Sequence, residues 1–117
     1  MIEACRAWIE AALAYSGGTH TFEDVAAGIE SGRMQLWPAD DGCIVTEIVV
    51  YPRRKVLNGF LAGGEMARVR DMVPHIEEWA RMQGCAATEL TGRKGWERVF
   101  GPMGYRFGAV TLRKDLA

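Results

Sequence analysis

Apolar residues recur at helical spacing at the start of the chain and again after a glycine-rich turn. The first pattern, over residues 2–13, predicts an amphipathic helix. Thr21 and Asp24 stand three residues apart, which is the spacing of a capping box, and Gly32 supplies a stop signal. The pattern therefore predicts a second, shorter helix that begins after Thr21 and ends near Gly32.

The next part of the chain alternates apolar and polar residues with a period of two, which is typical of strands. Residues 38–42 carry the proline, aspartates and glycine of a turn, and residues 43–51 are rich in β-branched side chains. These features predict two antiparallel strands joined by the turn. Residues 55–62 predict a third strand, in which Asn58-Gly59 indicates a bulge or the close approach of another backbone.

The helical period returns over residues 65–83, where apolar residues form one face. Pro74 lies inside this segment. Because a proline in a helix interior costs about 3 kcal/mol, we expect either one kinked helix or two helices. A short strand, a short helix and a closing strand are then predicted over residues 86–90, 94–100 and 106–114, respectively.

The closing strand would place four side chains in the core, namely Phe107, Ala109, Val110 and Leu112. Taken in order, the helices and strands predict an α+β layer fold. The 117 residues are close to the usual size of one domain, so a single domain over residues 1–117 is expected.

Charge and cysteine content narrow the possible partners. The 14 basic and 15 acidic residues give a net charge of −1, and no block of like charge is longer than three residues, so binding to nucleic acid is not predicted. The lack of a leader and of a bilayer-length apolar run predicts a cytoplasmic protein that does not bind a membrane. Three widely spaced cysteines indicate reduced thiols. Neither histidine stands at ligand spacing from a cysteine, so no metal site is predicted.

The segment from Gly63 to Tyr105 resembles the second half of a GNAT-type N-acetyltransferase in the order and the endings of its elements. Its landmarks are Gly84-Cys85 before a short strand and Gly104-Tyr105 in place of the family's common Gly-Phe. The resemblance implies a mixed, mostly antiparallel sheet flanked by helices, with the family's first strand missing. The overall pattern is also similar to small GNAT-like proteins of tailed phages and prophages, which would be found in the host cytoplasm or the virion.

The resemblance implies acetyl-CoA, or another acyl-CoA, as the cofactor. In this family one strand carries a bulge and splays from its neighbour, and the pantetheine arm binds in the gap. Asn58-Gly59 and residues 86–90 match those two places. The pyrophosphate binds at the start of the long helix, where free amides and the helix dipole attract an anion. The matching positions are Leu61, Gly63, Gly64, Glu65, Met66 and Ala67.

These positions depart from the family's pyrophosphate pattern. They lack its spaced glycines and its leading basic residue, and Glu65 brings a competing negative charge. Arg93 and Lys94, together with Arg98, follow the next predicted strand and are candidates for contact with a ligand phosphate. The alternative is that these cations are ordinary surface charges at the start of a helix.

Glu47 is the candidate general base, because it lies on a predicted strand beside the expected cleft and a carboxylate can accept a proton from an amine. Many family members have a tyrosine general acid where this chain has Phe100, which has no proton to donate. Tyr105 carries a hydroxyl and is the second catalytic candidate. The alternatives are a solvent-facing Glu47 and a buried Tyr105 that bonds to a carbonyl group.

The sequence supports two functions almost equally. The first is a divergent acyl-CoA-dependent N-acyltransferase that acts on a primary amine of a small molecule or a protein. The second is a non-catalytic interaction or structural protein that has lost the CoA site and binds a protein partner through exposed apolar groups such as Trp37 and Tyr51. A different small α+β fold is the third possibility, and fold analogy does not by itself carry function.

Overall fold

The computed structural model describes residues 2–117 and shows one mixed sheet. Its strands, in their order across the sheet, are β1 (Met34–Ala39), β2 (Gly42–Val50), β3 (Lys55–Gly64) and β4 (Ala87–Leu90). The first three pair antiparallel, and β4 pairs parallel to β3. The predicted α+β class with a mostly antiparallel sheet is confirmed.

Four α-helices flank this sheet in the described chain. They are α1 (Arg6–Leu13), which continues a 3-10 turn (Ile2–Cys5), α2 (Phe22–Glu30), α3 (Met66–Met82) and α4 (Trp96–Phe100), which runs into a second 3-10 turn (Gly101–Met103). The predicted capping box of α2 is present, since the Asp24 amide donates to Thr21 Oγ1 at 3.2 Å and the Thr21 amide donates to Asp24 Oδ2 at 2.9 Å. No helix within residues 2–117 has the length and apolarity needed to cross a bilayer.

Each face of the sheet carries its own core, because successive strand residues point to opposite sides. Helices α1 and α2 cover one face, where the buried residues include Ile9, Val25, Cys43, Val45 and Leu61. Helices α3 and α4 cover the other face, where they include Ile44, Leu57, Val69, Val73 and Phe100. We call these the α1/α2 face and the α3 face.

The long helix α3 is a single element, so the predicted alternative of two helices is wrong. Pro74 lies inside it and is exposed to solvent. The apolar positions on both sides of the proline, including Val69, Val73, Ile76 and Ala80, are buried against the sheet. Packing of one continuous apolar face therefore outweighs the local cost of the proline.

Two further expectations fail. Residues 106–114 form no strand in the described chain, and Phe107, Ala109, Val110 and Leu112 are exposed rather than buried. A strand needs a neighbour to satisfy its backbone, and no strand of the described chain pairs with this segment. Gly63 and Gly64 were expected at the start of the long helix, but they end β3, where they pair with Cys43 and Gly42.

Candidate functional site

Strands β3 and β4 diverge at a defined point. Their pairing runs from Val56 opposite Ala87 to Gly59 opposite Leu90. The Thr91 amide then donates to the Gly59 carbonyl oxygen at 2.9 Å, after which β4 has ended and β3 continues to Gly64. Beyond Gly59, β3 therefore has no strand on this side, at the place where the resemblance implies a gap.

A β-bulge lies at the same point. Val45 pairs with Leu61 and the next residue, Thr46, pairs with Gly59, so Phe60 is the extra residue on β3. This confirms the bulge predicted at Asn58-Gly59. A bulge bends its strand and disrupts the ladder locally, here the ladder between β2 and β3.

Glycines allow the end of β3 to pack closely against other parts of the chain. Gly64 has φ +96°, and a side chain on it would collide with the Asp41 carbonyl oxygen in the β1–β2 turn. A Cβ on Gly63 would lie 2.9 Å from the Trp8 Cβ of α1. The Glu65 amide donates to the Asp41 carbonyl oxygen at 2.8 Å, which fixes the path into α3.

The first turn of α3 presents free backbone donors. Glu65 is the N-cap residue, and its carbonyl oxygen accepts from the amides of Arg68 and Val69 at 3.0 and 3.1 Å. The amides of Met66 and Ala67 precede these bonds and have no intrahelical acceptor. Glu65 and Ala67 are exposed, so this positive helix end faces solvent. The Glu65 carboxylate lies at the same end, and no side chain caps the helix.

A row of polar residues crosses the sheet beside the bulge. Glu47 on β2 stands opposite Asn58 on β3, which stands opposite Glu89 on β4. The Thr91 hydroxyl donates to Asn58 Oδ1 at 3.0 Å. By strand alternation from Val45, Glu47 lies on the α1/α2 face, where it is half-buried rather than fully solvent-facing.

The loop between α1 and α2 reaches the same region. The His20 ring packs on Phe60, with ring centroids 5.5 Å apart. The Arg93 guanidinium lies 4.3 Å from the centre of the Tyr15 ring, a cation–π contact that joins this loop to the chain after β4. Arg93 therefore already has a partner within the chain. Lys94 is exposed and lines an open surface depression with Gly95, Glu97, Arg98 and Pro102.

The Tyr105 hydroxyl is engaged on the α3 face. It donates to Glu77 Oε2 at 2.7 Å and lies 2.6 Å from Thr88 Oγ1. Burial, reinforced by the Glu77 carboxylate, raises the pKa of Tyr105 well above its ordinary value of 10. The hydroxyl therefore holds its proton and ties β4 to α3. Phe100 is 2% exposed and belongs to the core.

The α3 side of the strand junction is closed by side chains. A cavity of about 10 Å³ remains there, bounded among others by Gly59, Leu90 and Tyr105. The Leu90 Cδ2 lies 3.0 Å from the position of a Cβ on Gly59. Such a volume holds at most one water molecule.

A pantetheine arm therefore does not fit on this side of the junction. Its amides would have to pair with β3 beyond Gly59, where β4 has ended. The Trp96 Nε1 donor is also buried on the α3 face, beside Gly92, and has no acceptor in the described chain. The free amides at the start of α3 and the edge of β3 beyond Gly59 suit an anion and an extended ligand, respectively, whereas the α3 side of the junction leaves no room for a ligand.

From the sequence we did not predict a role for Glu77 or Thr91, and Asn58 and Thr88 entered only as parts of the predicted bulge and of the short strand. Each acts through a partner far away in the sequence, as in the Thr91–Asn58 and Tyr105–Glu77 bonds. No local motif marked these pairings. Within residues 2–117, no three histidine, cysteine, aspartate or glutamate side chains are grouped to hold a metal ion.

No family model matches the sequence, and no curated protein matches it either. Solved structures, in contrast, do match the fold of this chain. A probable acetyltransferase superimposes with a TM-score of 0.70 at 10% identity, over 99% of this chain and 92% of that one. An acetyltransferase of Trypanosoma brucei gives 0.61 at 14% identity, over 95% and 94% of the two chains.

A transcriptional regulator from Bacillus halodurans C-125 gives a TM-score of 0.66 at 15% identity, over 81% of this chain and 75% of that one. Identities this low establish the fold and leave the activity open. Together with the bulge, the diverging strands and the order of elements, these similarities show that the chain has a divergent GNAT-like α+β fold.

Proposed function

We propose that this chain is a divergent acyl-CoA-dependent N-acyltransferase that acts on a primary amine. One observation carries the proposal, namely the divergence of β3 and β4 at the Phe60 bulge with the Glu47 carboxylate one residue pair away. A strand edge that lacks a partner can pair with the amides of an extended ligand. The adjacent carboxylate can receive a proton.

Acyl-CoA, when bound, supplies an activated acyl thioester. In the proposed site its phosphates lie at the free amides of Met66 and Ala67, at the start of α3. Leu61 is 2% exposed, so it contributes through its backbone rather than its side chain. Lys94 is the proposed cation for the phosphates after β4, and Arg93 would contribute only by leaving its contact with the Tyr15 ring.

Glu47 is the proposed general base. Its half-buried position opposite Asn58 suits a carboxylate that takes a proton from an approaching ammonium or amine. Two carboxylates, Glu47 and Glu89, stand on the same sheet face and favour a cationic acceptor. Tyr105, the other candidate from the sequence, is proposed to act by positioning β4 through Glu77 and Thr88.

The alternative is a non-catalytic protein that keeps the scaffold. The small cavity at Leu90 and the carboxylate of Glu65 at the helix start favour it. The predicted partner surface gains less support, because the Trp37 indole donates to Thr46 Oγ1 at 2.9 Å and packs edge-on against Trp79. Tyr51 is 49% exposed and stays available.

Release of CoA thiol from acetyl-CoA, measured with a panel of polyamines and lysine peptides, tests the proposal. We expect that CoA thiol is released only when both the protein and the amine are present. In Glu47→Gln we expect kcat to fall by about 100-fold, since general bases contribute at least that much. Glu30→Gln, an exposed carboxylate at the end of α2, is the control and should keep full activity. No amine-dependent release by the native chain would favour the non-catalytic alternative. Equal rates for Glu47→Gln and the native chain would remove Glu47 as the base.

A further inference from the structure

Three exposed apolar residues lie at the end of the molecule where β2 and α3 finish. Val50, Tyr51 and Met82, here called the Val50 patch, are 75%, 49% and 74% exposed. Outside residues 107–116, these are three of the four large apolar residues that the described chain exposes. Exposed apolar side chains that gather in one place indicate a surface that a partner covers.

The strand register and the end of α3 bring the members of the Val50 patch together. Val50 pairs with Lys55, and Lys55 Nζ lies 3.6 Å from the position of a Cβ on Gly84, just after α3. Val50 points to the α3 face, because it alternates with Ile48, which packs there. Met82 is the last residue of α3, two residues before Gly84. The Val50 patch therefore extends the α3 face beyond its core.

An apolar strip leads from the Val50 patch into this core. Trp79 of α3 packs edge-on against Trp37 of β1, with ring centroids 5.6 Å apart. Met82 follows Trp79 by three residues, so it lies one turn further along the same side of the helix. Ile48 is partly buried against the same core. An apolar partner would therefore continue a surface that is already packed at its inner end.

The backbone of β2 is free on one side beside this strip. The pairing of β1 with β2 ends at Met34 opposite Glu47, whereas β2 continues to Val50. Residues 48–50 thus pair with β3 and with no other strand of the described chain. Alternate residues of such an edge direct their N–H and C=O groups outward, where an extended segment can pair with them.

The charges around the Val50 patch determine which kind of segment fits. Arg53, Arg54 and Lys55 are the longest run of like charge in the chain. Arg53 and Arg54 are exposed, and neither forms a salt bridge within residues 2–117. The Glu78 carboxylate, near the end of α3, is paired with Arg81 at 2.9 Å. Free cations beside an apolar surface favour a partner with carboxylates.

We infer that residues 48–55, together with Met82, bind an extended acidic segment of a partner protein, in which apolar residues alternate with carboxylates. Its backbone pairs beside residues 48–50, its apolar side chains cover Val50 and Met82, and its carboxylates meet the guanidinium groups of Arg53 and Arg54. The inference does not depend on the proposed enzymatic activity.

Fluorescence anisotropy with labelled peptides tests the inference. The probe is a short peptide that alternates valine with glutamate, and two counterparts replace its glutamates by lysine or its valines by serine. We expect saturable binding of the valine–glutamate peptide that weakens as the salt concentration rises. Each counterpart should bind about tenfold more weakly or not at all.

A matched pair of valine substitutions tests the apolar contact. Val50→Asp should weaken binding of the valine–glutamate peptide by about tenfold, because an apolar contact is lost and a like charge faces the peptide. Val110→Asp is the control, since Val110 is 74% exposed and lies in another part of the chain, and it should leave binding unchanged. Equal affinities of the two variants would contradict a contact at Val50.

A charge reversal tests the cationic contact. Arg53→Glu combined with Arg54→Glu should weaken binding by about 100-fold. Arg106→Glu combined with Lys114→Glu makes the same change of net charge at two exposed residues elsewhere and should retain binding. Equal losses in these two double variants would show that only net charge matters, and this would overturn the inference.

Amide hydrogen exchange locates the peptide. Exchange of residues 48–50 should slow when the valine–glutamate peptide is bound. The inference would be overturned if this peptide showed no saturable binding, or if the lysine counterpart bound equally well. Binding to vesicles that contain phosphatidylserine, without binding to the peptide, would also overturn it, because the Val50 patch would then face a membrane.

Discussion

Cys5 and Cys43 are buried thiols that serve the core and not chemistry. Each is 1% exposed, and both lie on the α1/α2 face of the sheet. Burial, with a smaller contribution from the neighbouring Cys5, raises the pKa of Cys43 to about 12. Because reactive cysteines need an accessible thiolate, neither thiol is suited to act as a nucleophile.

The Cys43 thiol makes stability depend on alkaline pH. The unfolded chain releases this proton near pH 9.0, whereas the folded chain holds it to about 12. Above pH 9 the unfolded state therefore binds fewer protons, and the free energy of unfolding should fall by up to about 1.4 kcal/mol per pH unit. Urea unfolding at about pH 7, 9 and 11 measures the slope.

Cys43→Ala is the comparison for that slope, since alanine has no proton to lose. The variant will be less stable at every pH because it leaves a small cavity, but its alkaline slope should be shallower. Tyr105, whose pKa is also raised by burial, contributes in the same direction at higher pH in both chains. Equal alkaline slopes in the native chain and Cys43→Ala would contradict the account.

Single residues of the site were only partly predictable. The strand pattern alone places Glu47 on β2, because alternation and the turn before it fix its strand, whereas its place beside a cleft was an expectation from the resemblance. Its position opposite Asn58, which accepts a hydrogen bond from Thr91, could not be predicted, because the register of β3 and the end of β4 determine it. The role of Tyr105 depends likewise on Glu77, which is 28 residues away in sequence.

Helix α2 shows how strongly a local signal can define an element. Thr21→Ala removes the hydroxyl that caps the Asp24 amide, and it should lower the free energy of unfolding by about 1 kcal/mol. Thr19→Ala is the matched control, because its hydroxyl bonds only the neighbouring His20 ring. Thermal and urea unfolding of the three proteins would measure the difference, and equal losses in the two variants would show that the cap is unimportant.

Elements with their own local signals were predicted well, and elements that need a partner were not. The two N-terminal helices, the β1–β2 hairpin and the bulge follow from periodicity, turn residues and capping. The closing strand was predicted with the same kind of pattern and is absent, because a strand forms only against another strand. Gly63 and Gly64 were misplaced for a related reason, since contacts with Trp8 and the β1–β2 turn extend β3 through them.

At the level of the whole fold, the molecule has a GNAT-like scaffold in which other residues stand at the positions where the resemblance implied functional groups. Structures at 10% and 14% identity share its architecture, so the scaffold tolerates almost complete change of sequence. What distinguishes this chain lies at the ends of its strands and helices. Glu65 stands at the start of α3, Phe100 lies in the core, and the Tyr105 hydroxyl is bonded within the chain.

A substitution at the start of α3 should raise the affinity for acetyl-CoA. If phosphates bind at the amides of Met66 and Ala67, the Glu65 carboxylate repels them. Removing one unit charge about 4 Å away in water changes the interaction by about 1 kcal/mol, so Glu65→Gln should bind acetyl-CoA roughly fivefold more tightly. Glu23→Gln, a carboxylate in the first turn of α2, is the matched control and should not change affinity.

Calorimetric titration of the native chain with acetyl-CoA decides whether the chain binds the cofactor. We expect saturable heat for one site per chain, and tighter binding in Glu65→Gln but not in Glu23→Gln. Absence of heat in the native chain and in Glu65→Gln, with no thermal shift at millimolar acetyl-CoA, would contradict this expectation. The chain would then be a GNAT-like scaffold without its cofactor.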